Sequence, residues 1–131
     1  MSQQSANMRT PLKKARNLGS AKEGADHFWK QRITGVANLF LAIFLVWLIA
    51  SLAGADHGTV RQALANPLIS LGLLALIVSG TIHMRLGMQV IIEDYVHGEG
   101  SKIVLLMLNT FFTAAIALAS IYAILKLSFG A

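Results

Sequence analysis

Cysteine is absent from the 131 residues. That excludes a disulfide scaffold, an iron–sulfur cluster held by this chain, a Cys-based zinc site and a cysteine nucleophile. Charge is also scarce. Charged residues make up 13%, against about 25% in a soluble domain. What is abundant is apolar side chain, at 55%. Such a composition excludes a disordered tail, a collagen-like chain and an ordinary soluble globule. A chain of this length allows one domain at most, so the class that remains is a small integral membrane protein.

The formal charge of +5 is unevenly placed. Residues 1–32 hold Arg9, Lys13, Lys14, Arg16, Lys22, Lys30 and Arg32 against Glu23 and Asp26. In residues 33–131 the acidic and basic residues balance. The basic character therefore belongs to a short tail. Beside an apolar run, such a tail sets membrane orientation, and no nucleic-acid partner is expected. The tail reads as cytoplasmic, in a bacterial inner membrane. A short mitochondrial presequence ahead of an inner-membrane protein is the alternative, because residues 1–22 contain no acid.

Three apolar runs follow, at about 33–53, 67–92 and 103–127. Each reaches the roughly 20 residues that cross a bilayer core, and none alternates as a strand would. The predicted fold is all-α: a basic N-terminal segment over 1–32, then a three-helix membrane anchor over 33–127. Asn66-Pro67 supplies a cap and a first-turn proline for the second helix. Charge bias puts the N-terminus and the 93–102 loop inside, and the 56–66 loop and the C-terminus outside. Trp29 and Tyr95 fall at the inner interface and Tyr122 at the outer one.

A histidine at membrane depth needs a reason. His83 lies nine residues before Ile92, roughly 13 Å from the inner edge and near the bilayer middle. It is either an interhelical hydrogen-bonding residue or an axial haem ligand, since neutral imidazole binds iron in an apolar site. Gly72, Ser79, Gly80 and Gly87 share its side of the helix wheel. They clear space for a flat group or for a close partner helix. Asp94 returns to the same face eleven residues later, with Tyr95 beside it. That pair is a proton-handling site at the inner interface, or simply the solvated end of a helix. Arg85 points to the opposite face. Gln89 and Asn109 are expected to bond between helices. His27, His57 and His97 do not reach the depth of His83, so bis-histidine ligation would require a second histidine from another subunit.

Two segments together carry a resemblance: GSAKEGADHFWKQRITGVAN, Gly19 to Asn38, and HMRLGMQVIIEDYVHG, His83 to Gly98. Their order, with a histidine in the second of three spans and Asp-Tyr at its inner end, resembles the D-type membrane anchors of succinate dehydrogenase, respiratory complex II. The resemblance implies one haem b shared with a second anchor subunit of the cytochrome b type, with His83 as this chain's axial ligand. It implies a ubiquinone pocket at the inner membrane edge, with the Tyr95 hydroxyl on a quinone carbonyl and Asp94 beside it. Arg32 matches a position near the haem propionates or the quinone region, and His27 is a weaker match near the propionates. Trp29 and Gln31 match the same approach segment without a chemical role. The implied partners are the second anchor, an iron–sulfur subunit, a flavoprotein subunit and membrane lipid. The chain itself would be a subunit outside the catalytic core of a succinate:quinone oxidoreductase. A fumarate reductase anchor is the variant within this class. A three-span structural or assembly protein without a redox role is the alternative outside it. A proton-coupled transporter fits poorly, because no carboxylate is buried in the spans.

Overall fold

In a computed structural model, residues 20–130 are described. Four helices account for nearly all of them: α1 (Ser20–Leu52), α2 (His57–Leu64), α3 (Pro67–Tyr95) and α4 (Glu99–Ser128). Among the described residues there is no strand. Among the described residues three helices are long and apolar enough to cross a membrane, over Glu23–Leu52, Pro67–Tyr95 and Glu99–Ser128. The protein is an all-α, multi-pass membrane protein. Of the basic tail, residues 1–19 lie outside the described residues.

α1 begins well before the apolar run at Ile33. At 1.5 Å per residue its 33 residues extend about 50 Å, beyond the roughly 30 Å of a hydrocarbon core. No proline or turn sequence interrupts residues 20–32, and an Asp26–Lys30 ion pair at 2.7 Å supports the early turns at i,i+4 spacing. The segment predicted as an outer loop contains α2. Asp56 caps it, accepting from the Thr59 backbone N–H at 3.2 Å and from the Thr59 hydroxyl. These two bonds hold the Asp56 carboxyl below its ordinary value of 3.8. α3 starts where Asn66-Pro67 predicts: Asn66 Oδ1 accepts from the Leu68 N–H at 3.0 Å, and Pro67 occupies the first turn.

α3 is the central helix, with α1 on one side and α4 on the other. Little is buried within the chain. Among the described residues only Leu48, Leu64, Leu86 and Ile92 form an apolar core. Large side chains such as Phe40, Trp47, Leu68, Phe111 and Leu118 face outward from the spans. In a membrane protein such surfaces are compatible with lipid, because lipid tails accept apolar side chains as readily as a core does. Polar atoms join the helices instead. Asn109 Nδ2 donates to the Arg85 carbonyl at 3.0 Å, tying α4 to α3. Ser70 and Ser128 hydroxyls meet at 2.7 Å near the other end of the same pair.

Candidate functional site at the α1–α3 seam

One stripe of α1 carries the site. His27, Gln31, Thr34 and Asn38 recur at steps of four, three and four, which aligns them along one helix face. Thr34 and Gln31 meet α3: the Thr34 hydroxyl stands 3.2 Å from His83 Nδ1, and a Cβ on Gly87 would touch Gln31 Nε2 at 3.4 Å. The Ser79 hydroxyl, one turn before His83, donates to the Thr34 carbonyl at 3.3 Å. Gly35 lets the histidine ring approach, since a Cβ there would lie 3.4 Å from His83 Cε1. Nearer the far end, a Cβ on Gly72 would come within 2.8 Å of the Phe44 ring.

Of the small residues around His83, Gly72, Ser79 and Gly87 are thus used for close packing against α1. Gly80 differs: nothing lies within 4 Å of where its Cβ would stand. One small-residue position beside His83 is therefore open on this chain. His83 itself is half-buried.

These contacts also fix the register of α1 against α3. Antiparallel helices rise equally, and His83 stands level with Thr34, at the start of the first apolar run. Ile33 and Ile92 therefore cannot both mark one inner edge; along the pair they are about eight residues out of step, roughly 12 Å. His83 stands two residues from the midpoint of the apolar helix Pro67–Tyr95. Arg32, two residues before Thr34, consequently lies close to His83 in height.

Arg32 is exposed, with its guanidinium 3.9 Å above the Phe28 ring. His27 faces α3 and lines a cavity of about 300 Å³ with Glu23, Gly24, Gln89, Val90 and Glu93. Gln89 bonds within its own helix, to Glu93 at 2.8 Å, and not between helices as predicted. A long amide finds the carboxylate one turn away before it reaches α1. Asn109 does bond between helices. Asp94 and Tyr95 close α3 at the same end of the bundle as His27, and both are exposed; Tyr95 is 77% accessible. Neither touches His83, which lies more than two turns away along α3.

Three polar atoms on the stripe are shut from solvent without a hydrogen-bond partner among the described residues: His27 Nε2, Gln31 Oε1 and Asn38 Oδ1. Such atoms are costly in an apolar setting unless water or another molecule satisfies them. Among the described residues no three His, Asp or Glu side chains converge as ligands of a bare metal ion. Sequence reasoning did not single out Thr34 or Asn38. The signal available was the four-three-four polar spacing in a segment read only as an approach to the first span.

Residues 6–123 match the family described as Succinate dehydrogenase/Fumarate reductase transmembrane subunit. The chain is 28% identical over 122 residues to the succinate dehydrogenase hydrophobic membrane anchor subunit of Paracoccus denitrificans, covering 93% of this chain and 94% of that one. It is 34% identical over 88 residues to the corresponding subunit of Rickettsia bellii, covering 67% and 70%. With the succinate dehydrogenase membrane anchor subunit of Reclinomonas americana it shares 31% over 90 residues, covering 66% and 75%. An all-α chain of three apolar helices, matched along nearly its whole length, belongs to the succinate dehydrogenase/fumarate reductase transmembrane subunit family.

Proposed function

We propose that this chain anchors a succinate dehydrogenase in the membrane, provides one axial histidine to a haem b shared with a second anchor subunit, and forms part of the ubiquinone-reduction site. The observation that carries the reading is the state of His83. It is a lone half-buried imidazole with one ring nitrogen engaged on α1 and an open glycine position, Gly80, one turn away. Those features fit a flat, apolar group approaching from outside this chain. Haem, when bound, supplies a one-electron redox centre. Arg32 is suited to its anionic propionates, because an exposed guanidinium near the height of His83 can make charge-assisted hydrogen bonds to carboxylates. His27 is turned toward α3 and the Glu23–Glu93 cavity, so its part at the propionates is the weaker half of this assignment.

Quinone reduction to quinol requires two electrons and two protons. The electrons originate in succinate oxidation on a flavoprotein subunit and arrive through an iron–sulfur subunit, since this chain has no thiol to hold a cluster. Tyr95 supplies a donor at the end of α3, where an apolar ring with polar carbonyls can sit across the interface. The Tyr95 O–H donates to a quinone carbonyl oxygen, and the bond strengthens as that oxygen gains negative charge. Asp94 orients the phenol or relays protons from the aqueous side. The basic tail supports an orientation with this end in the bacterial cytoplasm, or the matrix of a mitochondrion, and the C-terminus on the other side.

The Tyr95→Phe substitution tests the quinone assignment. Quinone reductase activity should fall roughly tenfold, the upper end of a lost hydrogen bond, while succinate oxidation by a dye that accepts electrons upstream persists. Asp94→Asn should divide the two activities in the same way. Equal quinone and dye rates relative to wild type, normalised to flavin, would remove the pair from the site.

A further inference from the structure

The Thr34 hydroxyl has one hydrogen and two nearby claims on it. Thr34 Oγ1 lies 2.7 Å from the Lys30 carbonyl, a strong bond at the i−4 position. The Gln31 carbonyl, at 3.2 Å, is a weaker second acceptor for the same hydrogen. His83 Nδ1 lies 3.2 Å from the same oxygen. With the hydrogen committed to its own helix, Thr34 presents a lone pair to the histidine. Nδ1 must then carry the proton and donate. A neutral imidazole has only one N–H, so Nε2 is left bare.

We infer that Thr34 is a positioning residue for the axial ligand: it fixes the His83 tautomer, so that Nε2 is the metal-binding nitrogen, and raises the basicity of the ring. The inference rests on the reading of His83 as a haem ligand and deepens it. The chemistry is that of outer-shell partners of metal-bound histidines, which hold the second ring nitrogen, orient the ring and strengthen it as a donor. Here the acceptor is a side-chain hydroxyl whose own hydrogen is tied to a helix carbonyl. Two further contacts hold the geometry. The Ser79 hydroxyl bonds the Thr34 carbonyl at 3.3 Å, fixing the height of α1 against α3 at this turn. Gly35 allows the ring edge to approach the α1 backbone, with 3.4 Å from its would-be Cβ to His83 Cε1. The opposite assignment, with Thr34 donating to Nδ1, would put the ring proton on Nε2 and block coordination there.

The test uses the assembled complex purified with Thr34→Val, Thr34→Ser and His83→Ala in this chain. Valine keeps the shape and removes the hydroxyl; serine restores it. Low-spin haem content, the electron paramagnetic resonance signature and the midpoint potential are read on each. In Thr34→Val the less basic imidazole should stabilise ferric iron less. The potential should therefore rise, equivalent to roughly a two- to tenfold change in the oxidised-to-reduced ratio at fixed ambient potential. Thr34→Ser should return it to the wild-type value. If valine instead costs the haem outright, serine must retain it; equal loss in both would mean that position 34 acts by packing, and the inference would fail. An unchanged potential and spectrum in Thr34→Val, with low-spin haem lost in His83→Ala, would also overturn the role of Thr34 while leaving His83 as ligand. A wild-type spectrum in His83→Ala would remove the ligand reading and this inference with it.

Discussion

Gly72→Val should push α1 and α3 apart. A Cβ at Gly72 would lie 2.8 Å from Phe44 Cε1 and 3.0 Å from Cζ, against the 3.5–4.0 Å at which carbon atoms attract. Valine adds two further methyl groups behind that first clash. Phe44 is half-buried at the seam beside Trp47, with ring centroids 6.2 Å apart. Overpacking of this kind costs typically about 1–3 kcal/mol. Relief of glycine's helix penalty returns only a few tenths of a kcal/mol for a β-branched residue. A net loss of about 1–2.5 kcal/mol is expected, or about five- to seventyfold in the ratio of folded to unfolded chain. The assay is the thermal unfolding midpoint of this chain in detergent. Exchanging volume across the interface, Gly72→Val with Phe44→Ala, should recover most of the loss, as volume-conserving changes do. A single variant as stable as wild type, or a double variant no better than the single, would refute the close approach of these helices at Gly72.

Three other outcomes are accessible. Asn109→Leu removes the amide bonded to the Arg85 carbonyl at 3.0 Å; a loss of about 0.6–2 kcal/mol is expected from interhelical bonds in membranes, read as faster thermal dissociation, and no change would deny that bond a role. Asp56→Ala should open α2 to protease and to hydrogen exchange. The native Asp56 carboxyl sits below its ordinary value of 3.8, so the cap's contribution is complete above that pH and is lost as pH falls through the lower native value, whereas Asp56→Asn should show no such dependence. In this cysteine-free chain Phe129→Cys, chosen because Gly130 has a positive φ of 72°, should be labelled only from the side opposite the N-terminus; labelling from the N-terminal side would reject three crossings.

The membrane class, the three long helices and the start of α3 were legible in the sequence because each depends on local signals. Apolar length decides a span, and Asn66-Pro67 carries its own cap. The two ends of the helices were less legible. α1 runs on to Ser20 through polar residues because nothing in them stops a helix, and hydropathy marks only where the lipid-compatible stretch begins. α2 hides in a Gly/Asp/His-rich segment that reads as a loop until Asp56 is seen to cap it. At the candidate site, His83, Asp94 and Tyr95 stood out because polar side chains are rare in such a chain. Their surroundings did not. That Gly72, Ser79 and Gly87 serve packing against α1 while Gly80 stays open depends on helix register, which one strand of sequence does not contain. Thr34 was overlooked for a related reason: a threonine at the edge of an apolar run is unremarkable until its partner is placed.

The most direct measurement is the reduced-minus-oxidised spectrum and low-spin resonance signal of the complete complex, purified with wild-type chain and with His83→Ala. The wild type should contain a b-type haem with bis-histidine ligation. The variant should lose that haem, or hold it with an altered, single-histidine signature, while succinate oxidation by the upstream dye continues. A complex that keeps its full haem content and an unchanged bis-histidine signal in His83→Ala would contradict the assignment of this chain as half of a haem site.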